Sequence, residues 1–217
     1  MKLVILGASG GCGKQLVRQA LTRGHAVTAV VRSSSSYSAP DGATLARGDI
    51  FDQDFLEQTF RGADAVLSSL GLKVPSLSPF AKPEVPDLLS RSTPIIVAAM
   101  KRAEVRRIIA ISAGGVGDSY AWMPGVFKVF IKTTVLRKAY AELEKMEKIL
   151  FESGLDVCCC RPTGLNDDPA TGRAKVVTSL KGRAQIPRAD VASWMLDAIE
   201  RPSFAARGPV ITVTGGG

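Results

Sequence analysis

Apolar and polar positions fall in blocks along the chain, and the blocks read in turn as strands and helices. Lys2–Leu6, "KLVIL", is an apolar run of the length of a buried strand. Leu16, Val17, Ala20 and Leu21 then recur at helical spacing, which predicts an amphipathic helix over 12–23, stopped by Gly24. The pattern continues with strand over 26–32, a short strand over 44–49, helix over 52–60 closed by Gly62, and strand over 64–71. Further on, helix is predicted over 93–103 with Pro94 near its start or at a kink, strand over 105–115, and a long helix over about 133–153 ended by Gly154. Strand follows over 155–162, short strand over 174–178, helix over 188–200 capped by Asp190, and a last strand over 209–213. Strands separated by helices need right-handed crossovers and a mainly parallel sheet. The expected class is therefore α/β, a Rossmann-type doubly wound sheet with helices on both faces. One domain is expected over 1–217, with a small substrate-covering portion at about 74–86, 113–132 and 162–186. Ligands of such sheets sit at the carboxyl ends of the strands, here the loops after Leu6, Val31, Arg47, Ser69, Ser112 and Arg161.

The first of these loops is "GASGGCGKQ". Gly13-Lys14 suggests the phosphate loop of a nucleotide triphosphatase, G-x-x-x-x-G-K-[ST]. That motif puts its first glycine at Ala8 and its hydroxyl at Gln15, so two of four fixed positions fail. The pattern G-x-x-G-x-x-G is complete at Gly7, Gly10 and Gly13, between a strand and a helix, as a dinucleotide cradle requires. Gly7 allows the sharp turn, Gly10 the close approach of a pyrophosphate, and Gly13 the packing of helix on sheet. The helix N-terminus offers N–H groups to the anion.

The other loops extend the site. After the second strand, "VVRSSSSYSAPD" lacks the acid that would bind a ribose 2′-OH and carries Arg32 and Ser33, which favours NADP(H) over NAD(H). Asp49 and Ile50 follow the third strand, where an acid accepts from the adenine amino group and an apolar side chain packs on the ring. Ser69, Leu70 and Gly71 end the fourth strand, and Gly71 would let the backbone pass close to the cofactor. Ser112 ends the fifth strand, and Arg161 and Pro162 the sixth; all three join the expected cofactor set. A proline-rich loop, 74–86, would form one wall of the site.

Composition removes several alternatives. The net charge of +8 favours anionic ligands, but the cations are dispersed and only 6% of the chain is aromatic, so no nucleic-acid partner is expected. No run approaches a membrane span, and the chain enters its first strand without a leader pattern, so no membrane partner and a cytoplasmic location are expected. Cys158, Cys159 and Cys160 alternate across a strand and read as buried apolar positions, not as metal ligands or a disulfide framework. The single histidine, His25, lies in a helix-to-strand turn, and no metal site is expected. The partner is then a small-molecule acceptor, and the chain a monomer or small homo-oligomer.

The segments "ILGASGGCGKQLVRQAL", "VVRSSS", "RGDIFD", "DAVLSSLG", "IIVAAMKRAEVRRIIAISAGG", "EKILFESGLDVCCCRPTGL", "PATGRAKV" and "IPRADVASWML" run in order over nearly the whole chain. Together they resemble the atypical short-chain dehydrogenases of the NAD(P)H-binding, NmrA-like group, in the branch of biliverdin-IXβ reductase and flavin reductase. The resemblance implies NADPH held through Gly7, Ser9, Gly10, Gly11, Cys12, Arg32, Asp49, Ile50 and Gly71, with Ser112 beside the reacting ring.

The departures from that pattern narrow the chemistry. Classical members pair a tyrosine with a lysine four residues on; here Tyr37, Tyr120 and Tyr140 have Asp41, Pro124 and Glu144 at that place. "RPTGL" carries Thr163 and Gly164 where the flavin and biliverdin branch has a histidine. Hydride transfer to a flavin or quinone-like ring needs mainly orientation, because the acceptor delocalises the charge. Ser112 would orient the acceptor, and Tyr120 with Trp122 would cover it. A non-catalytic NADP(H)-sensing protein, and a reductase or isomerase using Tyr140 on another substrate, stand beside this reading.

Overall fold

In the computed structural model, which describes residues 1–73, 76 and 78–215, the apolar runs become strands and the periodic runs helices. The strands are β1 Lys2–Leu6, β2 Ala26–Val31, β3 Ala43–Arg47, β4 Ala65–Ser68, β5 Arg107–Ile111, β6 Asp156–Pro162, β7 Gly164–Asn166, β8 Lys175–Val177, β9 Gln185–Pro187 and β10 Val210–Thr212. The helices are α1 Gly11–Thr22, α2 Gln53–Phe60, α3 Leu88–Arg102, α4 Gly125–Thr133, α5 Leu136–Glu152 and α6 Arg188–Ile199. Eight strands form one sheet in the order β3-β2-β1-β4-β5-β6-β10-β8, and β7 pairs with β9 apart from it. Within the large sheet β8 runs antiparallel to β10 and the other pairs are parallel. This is the doubly wound α/β sheet expected from the alternation of elements. Its order reverses between β1 and β4, so the carboxyl ends of those strands frame a crevice.

Strand alternation divides the core. Leu3, Ile5, Cys158 and Cys160 face α1 and α6, where Leu16, Val17, Met195 and Leu196 cover them. Val4, Leu6 and Cys159 face α2, α3 and α5, under Phe60, Met100 and Leu150. The three consecutive cysteines thus enter opposite layers, and all four cysteines are free and buried.

Two expectations about elements change. The helix expected over 93–103 begins at Leu88, so Pro94 lies inside α3. Proline there removes the N–H that would reach Ser90, while the Ser92 and Thr93 hydroxyls donate to the Leu88 and Leu89 carbonyls one turn back. Asp190 does not cap α6; Pro187 holds that place, and the Asp190 carboxylate accepts from Thr171 N–H, Thr171 Oγ1 and Gly172 N–H, tying down the preceding loop. Beyond the strand expected to end at 115, the segment over 113–132 holds a 3-10 turn, Gly117–Trp122, and α4.

Candidate functional site

The glycine loop is built by backbone contact. Gly7 has φ +73°, a conformation that favours glycine. A Cβ on Gly13 would lie 2.2 Å from the Gly7 carbonyl oxygen, so α1 seats directly on the turn. Gly10 is the N-cap of α1 and has no side-chain cap bond, and no acid occupies the first turn. The N–H groups of that turn are therefore offered to an anion. Ser69 braces the loop from β4: its hydroxyl donates to the Leu6 and Gly7 carbonyls at 2.9 and 3.1 Å.

A cavity of about 200 Å³ opens over this loop at the switch point. It brings together Gly7, Ser9, Gly10, Arg32, Ile50, Ser69, Leu70 and Gly71, drawn from the four loops after β1, β2, β3 and β4. Lys73 and Glu84 complete its rim. Arg32 donates to Glu84 Oε1 at 2.7 Å, and Lys73 Nζ stands 3.6 Å from Oε2. Hydrogen bonding by Arg32 and the charges of Arg32 and Lys73 hold the Glu84 carboxyl below the usual carboxylate range. Glycine cradle, open helix N-terminus and paired rim cations suit a dinucleotide that presents phosphate groups.

Other expected residues are placed differently. Ser33 is exposed in the turn after β2. The Asp49 carboxylate accepts from Phe51 N–H at 3.0 Å, so one of its oxygens serves the turn into α2. Cys12 is buried within the first turn of α1; burial raises its thiol to about 11, against the opposing charge of Arg188. Arg161 is engaged within the fold. Its buried guanidinium donates to Glu147 Oε1 and Oε2 at 2.9 and 2.6 Å, to Asp118, and to the Gly208 carbonyl, so it is spent on structure. Burial opposes its charge, but the two carboxylates raise its pKa beyond the ordinary arginine value. The Tyr120 ring lies under Lys128 Nζ, 5.1 Å from its centroid, in a recess shared with Ile131, Arg137 and Glu144. Val74, Pro75 and Leu77 of the expected proline-rich wall lie outside the described residues; Val85, near its far end, lines the cofactor cavity.

A second cavity, about 570 Å³, lies at the carboxyl ends of β5 and β6. Ala113, Gly114, Pro162 and Thr163 form its floor, Met123, Val126 and Phe127 one wall, and Leu180, Arg183 and Gln185 the other. Pro162, expected at the cofactor, lines this cavity. Tyr140 also lines it and donates from Oη to the Gly114 carbonyl at 3.0 Å; burial pushes its hydroxyl up to about 12. Ser112 precedes this floor. It is buried, and among the described residues no group reaches its Oγ, an orphan polar atom at the end of the strand next to β4.

One residue gave no signal in the sequence. Arg188 opens α6 and lies across the glycine loop, where a Cβ on Gly11 would stand 2.7 Å from Arg188 Cδ. Its guanidinium is paired with Asp167 at 2.8 Å. Only the packing of α6 beside α1 shows that this cation borders the loop. Among the described residues there is no His, Cys, Asp and Glu cluster suited to a metal, and no helix long and apolar enough to cross a membrane.

Known proteins resemble this chain in sequence and in fold. A protein of Bacillus subtilis, YwnB, is 26% identical over 214 residues, covering 93% of each chain. A short-chain dehydrogenase/reductase of Veillonella parvula, solved in complex with NADP, superposes with a TM-score of 0.79 at 18% identity, over 97% of this chain and 93% of that one. ChuY, an anaerobillin reductase from Escherichia coli O157:H7, superposes with a TM-score of 0.77 at 23% identity, over 97% and 96%. These two likenesses are of fold. The NAD(P)H-binding family model matches residues 7–202, and the chain belongs to that family.

Proposed function

We propose that the protein is an NADPH-dependent oxidoreductase that reduces a flat conjugated acceptor, such as a flavin or a quinone. The observation that carries this reading is the large apolar cavity at the ends of β5 and β6, on the same sheet edge as the dinucleotide cradle at β1 and β4. Adjacent strands are about 5 Å apart, so a dinucleotide extended across β4 brings its reacting end to Ser112 and the cavity floor. When bound, that cofactor supplies the hydride.

The residues of the chain bind and orient. The α1 N-terminus and Arg188 face the phosphates. Arg32 and Lys73 each take one oxygen of Glu84, and a 2′-phosphate would offer the same two cations a dianion in its place; this supports NADPH over NADH. Ser112 Oγ has a hydrogen bond to give to a ring held in front of it. Tyr140 stays protonated at neutral pH and shapes the wall as a donor, not a base. Of the related folds, the NADP complex and the bilin reductase support this reading by analogy. We assign it to the cytoplasm, where four buried free thiols are stable.

The test is NADPH and NADH oxidation with FMN, FAD, quinones and biliverdin, in the wild type and Arg32→Glu. The expected result is acceptor-dependent turnover with an NADPH preference that Arg32→Glu lowers by about tenfold or more. Binding of NADPH without oxidation by any acceptor would favour a sensor instead, and an unchanged preference would remove Arg32 from the site.

A further inference from the structure

One helix of the acceptor cavity turns most of its apolar side chains outward. In α4, Val126 is 85% exposed, Phe127 40%, Val129 60% and Phe130 38%, while Ile131 is buried. At about 100° per residue these four side chains cover one broad arc, and the Phe127 and Phe130 rings stand 5.8 Å apart within it. Isolated exposed apolar residues are ordinary, but four on nine residues of one helix form a patch that calls for an occupant.

Charge identifies that occupant. From Ser119 to Ala141 the chain has four cations, Lys128, Lys132, Arg137 and Lys138, and no acid. Of the neighbouring acids, Asp118 is paired with Arg161 and Glu142 with Lys145, and Glu144 shares a recess with Lys132 and Arg137, which leaves the cations in excess. The opposite wall of the cavity belongs to a second acid-free run, Pro169 to Pro187, which carries Arg173, Lys175, Lys181 and Arg183. Val126 and Phe127 of the apolar patch line the cavity, and both of the chain runs that line it with them are rich in cations and free of acids. In a symmetric contact with a second copy, the cations of one patch would face those of the other. An anionic lipid surface satisfies both features: acyl chains take the Val and Phe side chains, and headgroups the Lys and Arg.

We infer that α4 is an interfacial helix that docks the protein on anionic bilayers, with the mouth of the 570 Å³ cavity turned to the lipid. An apolar acceptor dissolved in the membrane then reaches the cavity without crossing water. That last step rests on the proposed reductase function; the lipid contact does not.

Sedimentation with vesicles separates the outcomes. The probes are vesicles of phosphatidylcholine alone and of phosphatidylcholine mixed with phosphatidylglycerol. The variants are Val129→Asp and Lys138→Glu, neither of which lines the cavity. The expected result is binding to the mixed vesicles only, weakened by salt, and reduced about tenfold by Val129→Asp. Turnover with a water-soluble acceptor should remain at the wild-type level in both variants, so loss of vesicle binding is distinguishable from loss of the enzyme. Equal binding to both vesicle types, no binding, or binding unchanged by Val129→Asp would overturn the inference. A dimer in solution that Val129→Asp dissociates, without vesicle binding, would give the patch to a second copy.

Discussion

Gly13 and Tyr140 show how far single residues determine the site. A methyl group at position 13 meets backbone, the Gly7 carbonyl, and no side chain can move to relieve it. Gly13→Ala is expected to weaken NADPH binding at least about tenfold and to cost on the order of 1–3 kcal/mol of stability. Fluorescence titration and urea unfolding measure the two, and an alanine variant that binds like the wild type would refute the cradle. Tyr140 is held near 12 by burial, so its hydroxyl does not titrate in the neutral range. Tyr140→Phe should cost about 1 kcal/mol for the lost bond to the Gly114 carbonyl. The shape of the pH–rate profile between about pH 6 and about 9 should not change; a lost limb in that range would make Tyr140 a titrating catalytic group. The glycine spacing was legible because it is a local backbone requirement. Arg188 was not, because its place over Gly11 depends on α6 returning beside α1 from far along the chain.

Elements show the same division between local and distant causes. The strands of the central sheet and its mainly parallel, doubly wound character could be read because apolar runs alternate with helices. The covering segment could not: Gly117, Pro124 and Gly125 mark its stretch as a loop, while its 3-10 turn is fastened by Asp118 to the distant Arg161. Arg161 itself looked like a strand-end ligand, and only the facing Glu147 of α5 shows that it joins β6, α5 and the covering segment. Glu147→Ala leaves that guanidinium buried with its main partner gone, and is expected to cost about 3–5 kcal/mol. The pair Glu147→Met with Arg161→Met should cost markedly less, because no charge is left unpaired. Urea unfolding of the three proteins decides; a single variant no worse than the double would contradict the buried-pair account.

For the whole molecule, the thiols set a pH limit. Burial raises Cys12 to about 11 and Cys158 to about 12, and Cys159 and Cys160 above the ordinary thiol value as well. In the unfolded chain these thiols ionise near their ordinary value, so between there and the raised values the unfolded state binds fewer protons. Their stabilising contribution is complete below about pH 9 and is lost as pH rises, by about 1.4 kcal/mol per thiol per pH unit in that window. The urea midpoint should fall steeply above about pH 9, and Cys158→Ala should make the fall shallower; a flat midpoint would contradict the burial of the thiols. The same sheet carries the central claim, that one edge holds a dinucleotide cradle and a separate acceptor cavity. The most direct test is Leu180→Trp, which places a ring in the acceptor cavity from a lining residue outside both the cradle and the floor that the cofactor's reacting end would reach. Transfer of deuteride from labelled NADPH to the acceptor should be abolished while the NADPH dissociation constant stays within about twofold of wild type, the change expected for a site not touched. Undiminished transfer, or loss of NADPH binding in step with transfer, would contradict the division of the edge into two sites.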